Sequence, residues 1–138
     1  MKVRGITIHN TGNELSAQEM YDLLVKEKRM NLCHYIVDEN EVINSYPVDL
    51  EASHTGKGYD FGNRYTIAVE IARSRSDDEL YLKAQKRAVS HIKKLMKKYK
   101  LSVNDLYFHL DFNPQAYCPH RILDIYGSKE EFINGCFI

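Results

Sequence analysis

Among 138 residues, six histidines, three cysteines and one glutamate set in an apolar run are the side chains with reactive chemistry to offer. His9 and His109 each stand at or near the end of an apolar, strand-like run where a loop begins. Open α/β sheets assemble their sites at such strand ends. Taken singly, each still reads as an ordinary structural histidine. Cys118 changes the balance, because only the eight residues Leu110 to Tyr117 separate it from His109, a polar loop able to turn both inward. Two imidazoles and a thiolate suit zinc and leave a fourth tetrahedral position for water. The tight CxxC spacing of a structural zinc site is absent, so the pattern leans toward an open shell. With Cys33 and Cys136 the cysteines form an odd set, too small for a disulfide framework.

Glu70 is the other anomaly, a single acid within the apolar run Tyr65 to Ala72. A buried carboxylate is costly unless it is paired, bonded or employed. Two readings stay open: a hydrogen-bonded structural acid on an edge strand, or a general base whose pKa is raised by apolar surroundings. His91, beside Ile92 on a helical run, reads as structural. His120, between Pro119 and Arg121, is open between packing and support of the ligands.

The elements that must hold these groups follow from pattern. Val3 to His9 alternates as a strand and exits into the polar loop at Gly12. Ser16 and Glu19 form a capping box that opens a helix to about Met30, with Ala17, Met20, Leu23 and Leu24 on one face. His34 to Val37 and Glu41 to Tyr46 are β-prone runs around the turn residues Asp38 to Asn40, hence a hairpin. Pro47 to Arg64 is a long irregular stretch with Gly56, Gly58 and Gly62, of a length that usually serves function. The run Tyr65 to Ala72 suits a central strand buried on both faces.

Ser76 and Glu79 suggest a second capping box, before a helix with Leu80, Ala84, Ala88, Ile92, Leu95, Met96 and Tyr99 at helical spacing. Lys93, Lys94, Lys97 and Lys98 fall opposite and read as a solvated face. A short strand or turn spans Leu106 to Leu110, and Ser128 caps a last short helix. The sum is one α/β domain over residues 1–138, with a central mixed β-sheet flanked by helices and the candidate zinc site at strand ends.

Composition bounds the function. Hydrophobic residues make up 43% and charged residues 28%, which excludes disordered and collagen-like chains. Nineteen basic residues balance nineteen acidic ones, so no global charge draws the chain to nucleic acid or anionic membrane. No apolar run approaches the roughly 20 residues of a membrane helix. The charged start, Met1 to Ile8, lacks a signal core, which predicts synthesis in the cytoplasm and no membrane insertion.

Six motifs occur in order: Ile8 to Thr11, His34 to Asp38, His54 to Gly56, Gly62 to Ile71, His109 to Asp111, and Cys118 to Arg121. Over nearly the whole chain the set resembles the type 2 N-acetylmuramoyl-L-alanine amidases of phage endolysins and bacterial autolysins, related to phage-lysozyme amidases and peptidoglycan recognition proteins. The resemblance implies that His9, His109 and Cys118 ligate Zn2+ and that Glu70 is the catalytic base. It implies substrate contacts at His34, His54 and Asn63. The substrate would be bacterial peptidoglycan, cut at the amide joining the muramic lactyl group to L-alanine, and the protein would act on the wall after release. A wall-binding domain outside this chain is possible in such lysins. One departure stands out: many relatives carry a Lys two residues before the cysteine ligand, where this chain has Ala116. Gln115, His120 or the metal would have to take up that role.

The rival from another class is a non-catalytic peptidoglycan-binding module. Such relatives characteristically lose the cysteine ligand, and Cys118 is present. A nucleic-acid binder using the lysine face ranks far behind, because no aromatic residues interleave with those lysines.

Overall fold

The computed structural model describes residues 1–56 and 60–138. Gly58 of the long irregular stretch lies outside the described residues. In chain order the elements are β1 (Gly5–Asn10), α1 (Ala17–Lys26), β2 (Tyr35–Val37), β3 (Val42–Asn44), α2 (Phe61–Tyr65), β4 (Thr66–Ile71), α3 (Asp78–Tyr99), β5 (Leu106–Phe108), α4 (His109–Phe112), α5 (His120–Tyr126) and α6 (Lys129–Cys136).

The strands form one mixed sheet in the order β3-β2-β4-β1-β5. β2, β4, β1 and β5 run parallel, and only the hairpin β2–β3 is antiparallel. Asp38 makes that hairpin: one carboxylate oxygen accepts from the Asn40 and Glu41 amides, while the other accepts from Ala17 at the start of α1. A single turn residue thus joins the hairpin to the first helix.

The period-2 rule assigns the two faces of the sheet. Ile6, Ile8, Ile67, Val69 and Ile71 point to one side, against Ala84, Ala88 and Ile92 of α3 and Ile122 and Phe132 of α5 and α6. Each such fully buried Ile contributes about 1.5–3 kcal/mol relative to exposure. Ala68 and Ala72 point to the other side, against Ala17 and Leu24 of α1 and Ile36 of β2. Glu70 lies between those two alanines on the same face. The small residues on either side leave open space above its carboxyl.

Several expectations are corrected. α1 stops at Lys26, short of Met30, because Lys28 takes a left-handed conformation (φ 57°) that no helix continues. Met30–Leu32 then forms a separate 3-10 turn. The cap of α3 is Asp77, whose side chain accepts from the Leu80 amide, and not Ser76. The irregular stretch holds most of α2, α4 stands where a turn and loop were expected, and α5 fills residues to which the sequence pattern assigns no element. β4 is a central strand, which removes the edge-strand reading of Glu70. The lysines of α3 are exposed, as their spacing predicts.

Candidate metal centre

Strand register creates the site. His9 pairs with Glu70 across β1 and β4, and Ile8 pairs with Phe108 across β1 and β5. His109, the residue after Phe108, is therefore level with His9. Three chemically active residues thus end three adjacent parallel strands, at the carboxyl edge where α/β sheets build sites.

Cys118 comes from further along and is brought in by backbone bonds. The Leu110 amide donates to the Cys118 carbonyl at 3.1 Å. Asn10, the last residue of β1, accepts from the Arg121 and Ile122 amides at 3.0 and 3.3 Å, so it caps α5 just beyond the cysteine. Its amide in turn donates to the Tyr81 hydroxyl at 3.1 Å. The polar group following His9 therefore sets where Cys118 stands. Nothing in local sequence marks Asn10 for this task, since its partners lie 71 to 112 residues away.

One ligand atom from each of His9, His109 and Cys118 lies within 4.8 Å of the others. His9 Nδ1 is 3.6 Å from Cys118 Sγ. Two ligands of a tetrahedral zinc, with bonds near 2.0 and 2.3 Å, are about 3.6 Å apart, so the donor set and its spacing fit that ion. The His9 and His109 rings meet edge to face, with centroids 5.0 Å apart. Glu70 Oε2 approaches His9 Nδ1 at 3.8 Å, with its side chain 13% exposed.

Burial dominates the electrostatics. It holds His9 well below the usual imidazole range, with His54 and His109 adding repulsion. It pushes the Glu70 carboxyl up to about 8 and, together with Glu70, the Cys118 thiol up to about 12. In the absence of a cation His9 and Glu70 are therefore neutral neighbours near pH 7 and not an ion pair. A site that disfavours both its own anions and its own imidazolium is one a dication would satisfy.

A cavity of about 220 Å³ lies over these groups. His9, His54, Glu70, His109 and Cys118 line one part of it, and Met20, Leu24, Leu32 and Ile36 line the rest. A second hollow, of about 510 Å³, lies between Thr55, Gly56 and Asp60 on one side and Phe112 to Gln115 on the other.

The other expected site residues sit differently. His34 is fully buried (0%) and does not line the cavity. Its Nδ1 accepts from the Ala68 amide at 2.9 Å and its Nε2 donates to the Leu50 carbonyl at 2.7 Å, so both nitrogens are used on backbone. Asn63 is likewise buried, and its side-chain oxygen accepts from the His54 and Thr55 amides. His54 does line the cavity, with Nδ1 2.9 Å from His9 Nε2. His120 bonds Ser74 Oγ at 3.0 Å and His91 meets the Tyr35 ring, both outside the metal group. Ala116 closes a turn onto the Asn113 carbonyl, and Gln115 beside it is exposed.

Two histidines, a cysteine and a glutamate of raised pKa, gathered at the carboxyl edge of a mixed sheet, form a candidate centre of the metal-hydrolase type. Comparison with known proteins narrows the class. The profile of the family described as N-acetylmuramoyl-L-alanine amidase matches residues 1–121, and the chain belongs to that family. It is 38% identical over 124 residues to N-acetylmuramoyl-L-alanine amidase CwlA of Bacillus subtilis (strain 168), covering 89% of this chain and 45% of that protein. It is 37% identical to N-acetylmuramoyl-L-alanine amidase XlyB of the same organism, covering 98% of this chain and 44% of that protein. The chain thus spans about half the length of the curated relatives it matches. Among solved structures it resembles PlyL, with TM-score 0.89 and 32% identity over 99% of this chain and 84% of that one. The catalytic domain of XlyA matches with TM-score 0.83 and 29% identity, covering 95% and 86% of the two chains.

Proposed function

We propose that residues 1–138 are the catalytic domain of a zinc-dependent N-acetylmuramoyl-L-alanine amidase. It hydrolyses the amide between the muramic lactyl group and L-alanine in bacterial peptidoglycan. The observation that carries this reading is the placement of Glu70 3.8 Å from His9 Nδ1, beside the group formed by His9, His109 and Cys118.

His9, His109 and Cys118 would hold the ion, the cysteine as thiolate ligand and not as nucleophile. Zinc, when bound, supplies Lewis acidity to the scissile carbonyl and brings the pKa of water toward neutrality. Glu70 then acts as general base, taking a proton from the attacking water and delivering it to the departing alanine nitrogen. Burial raises its affinity for a proton above that of an ordinary carboxylate, while a bound dication would keep it ionised until the proton of water arrives, which suits a group that must both accept and release a proton. The apolar wall of Met20, Leu24, Leu32 and Ile36 sheds water from the site and accommodates the methyl groups that flank the scissile bond. No helix among the described residues is long and apolar enough to cross a membrane. We place the action on the cell wall after release of the protein from the cytoplasm.

The test is mass spectrometry of purified peptidoglycan incubated with the protein, with and without a zinc chelator. Stem peptides with free L-alanine amines, lost on chelation and regained with zinc, are the expected result. New reducing sugar ends would mean a glycosidase, and retention on the wall without cleavage would mean a binding module. Either outcome overturns the proposal.

A further inference from the structure

His54 is the one histidine of the cavity not in the ligand group, and its contact is with a ligand and not with the cavity alone. His9 Nε2 and His54 Nδ1 are 2.9 Å apart, with both rings buried. Two neutral imidazoles at that distance share one proton, so one nitrogen donates and the other accepts. The opposite nitrogen of His9, Nδ1, faces Cys118 Sγ and Glu70. To offer a lone pair there, a neutral His9 must carry its proton on Nε2 and donate it to His54.

The His54 ring is held ready to accept. The Gly62 carbonyl is near enough to favour a proton on the ring, while His54 Nε2, the nitrogen not bonded to His9, makes no hydrogen bond to any described residue. The backbone under the ring is clamped as well. The His54 and Thr55 amides both donate to Asn63 Oδ1, at 2.8 and 2.9 Å, and the Thr55 hydroxyl donates to Asp60 at 2.6 Å. Asp60 also accepts from the Asn63 amide, capping α2. The packing is close enough that a Cβ on Gly62 would lie 2.5 Å from Thr55 Oγ1. Asp60, Gly62 and Asn63 thus seat His54 on the short helix that leads directly into β4, the strand of Glu70.

We infer that His54 is a positioning residue. It sets the tautomer and ring plane of His9, presenting the Nδ1 lone pair to the metal, and Asn63 acts behind it by fixing its backbone. This gives His54 and Asn63 a part in building the site that needs no contact with substrate. Histidine ligands generally have such an outer partner, usually a carboxylate or carbonyl, and its loss typically weakens metal binding about 10–100-fold. Here an imidazole does the work, and it can accept only while neutral. The inference rests on the reading of His9 as a zinc ligand.

The experiment compares the full chain with His54→Ala, His54→Asn and His9→Ala. Zinc affinity is read by competition with a chromophoric chelator, and ring protonation by long-range ¹⁵N–¹H spectra of the metal-free proteins. Wild type should show His9 as the Nε2–H tautomer before any metal is added. His54→Ala should bind zinc about 10–100-fold more weakly and show a mixed His9 tautomer. The carboxamide oxygen in His54→Asn stands where Nδ1 stood and can accept the same bond, so that variant should recover the tautomer and most of the affinity. Amide fingerprints of each variant report whether it folds, and His54→Asn carries the test if His54→Ala does not. Unchanged zinc affinity and tautomer in His54→Ala, or no recovery in a folded His54→Asn, overturns the inference. Failure of the ligand reading looks different: wild type and His9→Ala would then bind zinc equally, while the tautomer measurement still decides the role of His54.

Discussion

At the scale of single residues, the proposed site divides its labour between groups that would hold the metal and a group that would move a proton. Cys118 would supply the only anion of the ligand set, yet burial and Glu70 push its thiol up to about 12 without a metal. Ligation must therefore displace a proton, and zinc affinity should rise with pH. Cys118→Ser should abolish zinc binding at micromolar metal and abolish hydrolysis, while leaving the amide fingerprint intact. Stoichiometric zinc in the purified variant would remove Cys118 from the ligand set. Glu70→Ala makes the opposite separation. It should keep zinc, because Glu70 is outside the ligand group, and lose about 10²–10⁴ in turnover, the range for a missing acid–base group. Metal analysis and peptidoglycan cleavage on the same sample check both halves, and near-normal turnover would make Glu70 structural.

At the scale of elements, what holds these residues was legible where pattern is local and hidden where it is not. The strand at Val3 to His9, the hairpin around Asp38, the central run Tyr65 to Ala72 and the apolar stripe of α3 all stand in the sequence as periodicity and turn chemistry. His9 and His109 stand out as polar residues at or near the ends of apolar runs, Glu70 as an acid inside one, and Cys118 by its eight-residue separation from His109. The short helices α2, α4 and α5 are not legible, because their stability comes from partners far along the chain. The Asn10 cap of α5 joins segments more than a hundred residues apart, and the Asn63 clamp on His54 spans nine residues of the irregular stretch; no periodic pattern records either. Asn10→Ala tests the first. It removes two accepted bonds at the start of α5 and one donated to Tyr81, so a loss of about 1–3 kcal/mol in urea unfolding is expected. Zinc binding should weaken as well, because the segment of Cys118 loses its anchor to β1. Full zinc affinity in the destabilised variant would show that the Leu110–Cys118 backbone bond is sufficient alone.

At the scale of the whole molecule, the proposed metal centre would tie together segments that begin, bisect and nearly end the chain, so metal and stability would be linked. A ligand that binds only the folded state at a thousand times its dissociation constant adds about 4 kcal/mol. The pH dependence of the metal-free protein follows from the groups it would otherwise satisfy. Burial lowers the pKa values of His9, His34, His54 and His109, with His54 down to about 3. The unfolded chain then binds more protons up to about pH 7.5, and stability rises with pH over that range. Glu70 acts in the opposite sense. Its folded value of about 8 lies above the unfolded 4.5, so the folded state holds a proton the unfolded state has lost. Between pH 6.5 and 8 Glu70 removes about 1.6 kcal/mol as it ionises, while the unfolded histidines lose their last protons and return about 0.4 kcal/mol each. The two nearly cancel, and metal-free wild type should melt at similar temperatures at both values. Glu70→Gln, neutral at every pH, keeps only the histidine gain and should melt higher at pH 8 than at pH 6.5. Zinc-loaded protein should gain as well, because the dication favours the carboxylate and holds Cys118 as thiolate. Melting curves of the chelated, loaded and variant proteins at the two pH values decide the matter. A metal-free wild type that gains as much with pH as Glu70→Gln would mean that Glu70 ionises at an ordinary carboxylate pH in the fold, and the case for it as a tuned base would go with it.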